Sequence, residues 1–397
     1  MKKVFQILLL STLLIVSCNK SKQIVYYLDE ESITYINENY SKYEEWCNKS
    51  REITFDNDNS IVDIQLRKDR VIVTFENEVV TVPSSYDMPV VHDGVIKCEL
   101  PETITSIGDY AFSEYSALAE IEIPESVTSI GYCAFQKCTS LKDIVLPHQL
   151  IHIGVSAFAH CKSLTYVRIP DLVTDLSAGI FFECTSLKDV GLPQDLKSIG
   201  KNAFYNCKSL GGNRGTIDLP VKMQRIEDSA FYQCTSLKVM SLPDELTYIG
   251  DYAFSDCREL TTCFTPNTAF TIGEAAFRDC YKLEKFYSLY NATYIGSHAF
   301  SNCKALKEVF LPQSINSVEP GTFYRCTSLQ EVSGGNEEMI IKNRAFAGCS
   351  SLNRFPVLNH SGQIANEAFL GCKNLHELVF YNHRPIVLSE SYRNYQL

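Results

Sequence analysis

The chain has no stretch of about 20 apolar residues, the length an α-helix needs to cross a bilayer. Its longest largely apolar run, residues 4–16, ends after 13. No stripe of Lys and Arg runs along it, and the formal net charge is −11. A surface that neutralises the phosphates of nucleic acid or of an anionic membrane is therefore not expected. There is no Walker loop, no Gly-x-Gly-x-x-Gly and no His-Glu-x-x-His. Gly-x-Ser-x-Gly is missing as well. Cys-x-x-Cys, the usual mark of a zinc site, does not occur among the 16 cysteines. These absences leave no catalytic residue, cofactor site or metal site to nominate. What remains is ordinary for an ordered protein: 397 residues, 45% hydrophobic and 21% charged.

The first residues do carry a signal. Lys2 and Lys3 precede the apolar run, which ends in Ile15-Val16-Ser17-Cys18. A basic start, a run too short to span and a small residue before Cys fit an export signal over residues 1–17. The end resembles a bacterial lipobox, in which the Cys becomes a lipidated N-terminus. Acyl chains on Cys18 would hold the protein on a membrane, with residues 18–23 as the tether. Asn19-Lys20-Ser21-Lys22-Gln23 holds no acidic residue, a point that bears on which side of the envelope the chain faces.

Residues 24–88 read as a small α+β module. Ile33, Ile36, Tyr40 and Tyr43 sit at helical spacing after Asp29-Glu30-Glu31, a helix start. Strands are expected at 61–66, 71–75 and 79–82, in one antiparallel sheet. The module suits a spacer or a cap. Asp56-Asn57-Asp58-Asn59-Ser60 is not a calcium loop, because Ile61 stands where Gly is needed and Arg67 where a bidentate Glu is needed.

From Leu100 onward the chain repeats. Ala-Phe or a variant recurs at Phe112, Phe135, Phe158, Phe181, Phe204, Phe231, Phe254, Phe277, Phe300, Phe323, Phe346 and Phe369, every 23 residues except for one gap of 27. The extra residues fall at Gly211-Gly212-Asn213-Arg214-Gly215, a surface bulge. A Leu follows each Phe by six. One unit reads Cys138-x-x-Leu141-x-x-Ile144-x-Leu146-Pro147-x-x-Leu150-x-x-Ile153-Gly154-x-x-Ala157-Phe158. A single unit cannot bury its apolar side, but stacked units bury continuous columns. The Leu-x-x-Ile-x-Leu stretch is expected to give one strand per coil, ended by a Pro that cannot donate to the ladder. Ile-Gly is expected to turn the chain. Coils stacked about 4.8 Å apart would make an arc roughly 55–60 Å long.

The Cys-x-x-Leu-x-x-Ile-x-Leu-Pro and Ile-Gly-x-x-Ala-Phe blocks resemble the BspA-like (treponemal-type) leucine-rich repeats of bacteria. The resemblance covers about three quarters of the chain. It implies a right-handed solenoid over residues 89–382, of about twelve 23-residue repeats with a parallel β-sheet on the concave face, and a C-terminal cap or tail over 383–397. It also implies a secreted or surface protein, several relatives looking like adhesins.

Eleven cysteines, Cys138 through Cys372, sit three residues after a Phe; the first repeat has Tyr115 there. Their Cβ vectors would run parallel in a stack, which disfavours disulfides, and an odd column cannot pair fully. A small, weakly polar residue packed in the core is the expectation. Cys98 and Cys263 occupy core positions of the strand, whereas Cys47 and Cys133 have no clear place. His148, His152, His160 and Cys161 cluster in sequence, but the first two fall in a turn and neighbouring coils lack equivalents.

A ligand would meet the outward residues of the strands. The residue between Ile and Leu reads Phe264, Tyr287 and Phe310 in three adjacent coils, with Thr262, Lys285 and Glu308 beside them. The coil of Tyr287 has Leu289-Tyr290 where the Pro is expected. Phe264, Tyr287, Phe310, Lys285 and Tyr290 are the candidate ligand-binding residues, for a protein or a glycan. An aromatic ladder that only stabilises neighbouring strands is the competing reading. Glu120, Glu122, Asp143 and Asp189 make an acidic strip best read as solvated charge. Two roles fit: a monomeric surface adhesin or receptor, or a periplasm-facing scaffold with envelope partners. In either, the membrane is reached through the lipid anchor alone.

Overall fold

Every 23 residues the chain makes one coil with three walls, and the coils stack. The computed structural model describes residues 23–38, 44, 54–55, 59–66, 70–75, 79, 81–83, 94–287, 289–358, 364–379 and 386–387. The export segment, Cys18, Tyr40, Tyr43, Cys47 and residues 56–58 lie outside these.

The first wall is the expected strand. Tyr166–Arg168 pairs in parallel with Asp189–Gly191. Val239–Ser241, Thr262–Phe264 and Lys285–Tyr287 form a second run, and Glu308–Leu311 with Glu331–Gly334 a third. The Pro after the strand does more than end it: its carbonyl accepts the N–H three residues on, as in Leu150 N to Pro147 O at 3.1 Å.

The second wall corrects an expectation. Ile-Gly does not simply turn the chain; the residues before the Gly form a second parallel strand. Asp175–Leu176, Ser198–Ile199, Arg225–Ile226, Tyr248–Ile249, Phe270–Ile272 and Ala292–Ile295 make one continuous sheet. His152, assigned to a turn from sequence, lies in the strand His152–Ile153. The Gly is needed for close approach: a Cβ on Gly154 would come within 2.4 Å of the backbone at Gly131.

The third wall holds the Phe. Alternate N–H groups donate forward to the next coil: Ser156 to Ala178 O, Phe158 to Ile180 O and His160 to Phe182 O, at 2.7 to 3.0 Å. The N–H groups between them turn back within their own coil, as Ala159 to Ser156 O. This alternation puts the residues two before and two after the Phe at positive φ, for example Ser156 at 56° and His160 at 62°. The twelve rings then stack in one buried ladder from Phe112 to Phe369, with centroids 5.1 to 5.8 Å apart. Cys133, unplaced from sequence, takes one of the left-handed positions (φ 51°) and is buried.

The cysteine column is core and carries no disulfide. Each thiol donates to the carbonyl of the Phe one coil back, from Cys138 to Phe112 O at 3.1 Å through Cys372 to Phe346 O at 3.1 Å. So the thiol is a packing residue that also ties coils together. Cys98 and Cys263 are buried as expected.

At the N-terminal end, β1 (Gln23–Leu28), α1 (Glu30–Glu38), β2 (Thr54–Phe55), β3 (Asn59–Leu66), β4 (Arg70–Phe75), β5 (Thr81–Val82) and β6 (Val95–Glu99) precede the first full coil. Asp29 caps α1, its carboxylate accepting the N–H of Ser32 at 2.8 Å. The sheet runs β2-β3-β4-β1-β6 and continues into the first-wall strand Glu120–Ile121. β1, whose Gln23 falls in the expected tether and whose other residues fall in the module without an expected strand, is a central strand with Ile24, Tyr26 and Leu28 buried. β5 was expected in the antiparallel sheet. It pairs instead in parallel with Ser106–Ile107 and starts the second wall. Tyr115, standing where later coils have Cys, packs 6.2 Å from Tyr26 and joins cap to solenoid. At the C-terminal end, Glu377–Leu378 pairs antiparallel with Ile386–Val387.

Candidate ligand-binding face

The outward residues of the first wall follow the strand alternation, so residues two apart share a face. Phe264 and Tyr287 are register partners on paired strands. Their rings stack 4.9 Å apart and nearly parallel, at 3°, and each keeps 43% of its surface exposed. The Lys285 Nζ lies 5.7 Å from the centre of the Tyr287 ring, within cation–π reach. Thr265 donates its hydroxyl to the Tyr287 carbonyl at 2.6 Å.

The sequence places Phe310 beside Tyr287, but the structure does not continue the row. The sheet ends at Lys285–Tyr287, and Glu308–Leu311 belongs to the next run. Without the Pro, the chain makes a 3-10 turn at Leu289–Asn291. Leu289 fills the core and Tyr290 swings out, 58% exposed, onto Phe310. These two rings meet at 4.2 Å, tilted by 44°. At Gly334 (φ 74°) a Cβ would lie 2.4 Å from the Leu311 carbonyl and 2.8 Å from the end of the Phe310 ring. All five nominated residues therefore gather on one face, as two ring pairs plus a lysine and not as a row of three.

The junction behind this patch is unusual. In the second wall the long sheet ends at Ala292–Ile295, and Ser317–Val318 starts another. Both strand walls thus break between the coil of Tyr287 and that of Phe310. The third wall passes through unbroken, with Phe300 N to Thr322 O at 2.8 Å and Phe300 stacked on Phe323. Phe286, at a strand core position, wedges edge-on between Phe277 and Phe300.

Beyond Phe310 lies a polar groove of about 440 Å³, lined by Lys307, Glu308, Gln330, Glu331, Asn353 and Arg354. Sequence reasoning reached only Glu308. The signal was available, since each coil supplies the two residues after its Leu. Arg354 Nη1 lies 3.4 Å from Glu331, and Lys307 Nζ 3.6 Å from Glu284.

The remaining candidates are dispersed or occupied. In the acidic strip, Asp189 is held by Arg214 at 2.8 Å. His148 faces Glu125 at 3.5 Å, and His160 pairs with Glu183 at 3.2 Å while its ring meets Phe182 edge-on. The Cys161 thiol bonds to Phe135 O, buried away from them. Among the described residues no group of three or more His, Cys, Asp or Glu side chains is placed to hold a metal ion. No helix among them is long and apolar enough to cross a membrane.

A family profile described as the BspA type leucine rich repeat region matches residues 92–211, 213–330 and 293–397, in six copies. The chain belongs to the BspA-type leucine-rich-repeat family. A leucine-rich repeat protein from Bacteroides ovatus is 31% identical; the match covers 79% of this chain and 84% of that one, with a TM-score of 0.63. The pneumococcal vaccine antigen PcpA shares the fold at 18% identity, with coverage of 81% and 87% and a TM-score of 0.50. No curated protein matches the chain.

Proposed function

We propose that this BspA-type protein is a lipid-anchored binding protein of the bacterial surface, an adhesin or receptor that engages protein or glycan ligands through its first wall. The observation that carries the reading is the cluster of Phe264, Tyr287, Tyr290 and Phe310 with Lys285. It sits where the repeat departs from its own rule, and exposed aromatics grouped at one place supply binding hot spots. The Phe, Leu and Cys columns of the repeat point inward. A broad open face of this kind suits a macromolecule better than a small substrate. Cys18 would supply the anchor, and the solenoid would act as a monomer.

The test has two parts. Intact cells treated with external protease should lose the protein while a periplasmic control survives. Purified protein should then be screened on immobilised matrix proteins and mucin, with Tyr287→Ala and Tyr290→Ala as variants. Survival of the protein on intact cells, with cleavage after lysis, would favour the periplasm-facing scaffold, which the lack of acidic residues after Cys18 also favours. Binding unchanged in both variants would remove the aromatic cluster from the site.

A further inference from the structure

Resting on that reading, we infer that the ligand is a neutral, extended oligosaccharide lying across the coils from the Tyr290–Phe310 pair into the groove of Lys307, Glu308, Gln330, Glu331, Asn353 and Arg354. Four observations lead there. The groove is electrically balanced, with two acids, two bases and two amides. Three of its four charges lie near an opposite one, Arg354 by Glu331 and Lys307 by Glu284 outside the groove. A charged peptide or a sulfated chain would gain little over these existing pairs. Hydroxyl groups, by contrast, both donate and accept, and match carboxylates, amides and cations alike.

The second observation is periodicity. Three successive coils each contribute the same two positions: Lys307 and Glu308, Gln330 and Glu331, Asn353 and Arg354. A surface that repeats a polar pair at each rung fits a polymer that repeats a hydroxylated ring. Third, the groove opens beside an aromatic pair. Glu308 and Phe310 are two apart on one strand and share its outward face. Fourth, Tyr290 remains 58% exposed despite its contact with Phe310. Its free surface can receive the apolar C–H face of a sugar ring.

The experiment is affinity electrophoresis of the full chain through native gels holding xylan, galactomannan, glycogen or neutral glycans released from mucin. A heparin gel serves as the charged control. Retardation is expected in at least one neutral gel and not in heparin. Gln330→Ala/Asn353→Ala and Tyr290→Ala should each weaken it by about tenfold with unchanged melting temperature. No retardation in any neutral gel, retardation indifferent to the groove variants, or strongest retardation by heparin overturns the inference. If the aromatic variants still reduce binding to an immobilised protein, the surface-binding reading stands and only the glycan class falls.

Discussion

The third wall and the first wall of the same coils behave oppositely. The third wall runs unbroken from Phe112 to Phe369, each ring stacked on the next and each column thiol bonded to the carbonyl behind it. The first wall is divided into separate short sheets, and its outward residues differ from coil to coil, as Tyr166 and Arg168, Lys285 and Tyr287, and Glu331 and Ser333 show. Periodic residues of the third wall have every neighbour supplied by the next coil. The first-wall face has solvent on one side, so its side chains can vary without emptying the core. The continuous wall carries the stability, and the interrupted wall is left to carry recognition.

Alkali should divide the two most sharply. Burial pushes the thiols of Cys161, Cys257 and Cys372 up to about 12, and raises those of Cys138, Cys184, Cys234 and Cys280 well above their usual range. In the unfolded chain they ionise near about 8.5. The folded state keeps protons that the unfolded state releases. The stabilisation is therefore whole below about pH 8.5 and is lost as pH rises toward the folded values. Each thiol costs about 1.4 kcal/mol per pH unit in that window, and the column multiplies it. Under reducing conditions, melting temperature should fall steeply between about pH 9 and 11; a flat profile would mean that the thiols are not buried and protonated.

Next in size is the ring ladder. Phe231 is fully buried between Phe204 and Phe254, and Phe231→Ala should cost about 3–5 kcal/mol. Phe264→Ala, on the first wall, should cost about 1 kcal/mol or less. Denaturant titration of both variants makes the comparison direct, and equal losses would erase it. Gly154→Ala should cost about 2 kcal/mol or more, because a Cβ there meets backbone that cannot move aside. The smallest effect is expected for Tyr287→Ala, a stability change within about 0.5–1 kcal/mol alongside loss of ligand. A large drop in melting temperature would return Tyr287 to a purely structural role.

Where the sequence repeats, it was legible. The 23-residue spacing of Phe, Leu and Cys gives the coil, the core and the absence of disulfides, because identical residues one coil apart must stack. The second wall was hidden because most of its strands span only two residues and end in a Gly that reads as a turn. β1 showed its alternation in Ile24, Tyr26 and Leu28 but lay next to a supposed tether. On the binding face, the residue types were legible and their arrangement was not. The missing Pro flagged Leu289-Tyr290, yet nothing local says that Leu289 fills the core and sends Tyr290 onto Phe310. The groove depends on three coils at once, so no single repeat displays it.

Stacked coils amount to a one-dimensional crystal, and such a crystal ends in growth faces that would accept another molecule's edge. Here both ends of the first wall are closed by strands running the wrong way: β1 lies antiparallel to β6 at one end, and Ile386–Val387 lies antiparallel to Glu377–Leu378 at the other. An incoming coil would not find there the parallel register that the coils use among themselves. In the first wall the antiparallel strands act as chain terminators for a stack made almost wholly of self-complementary layers.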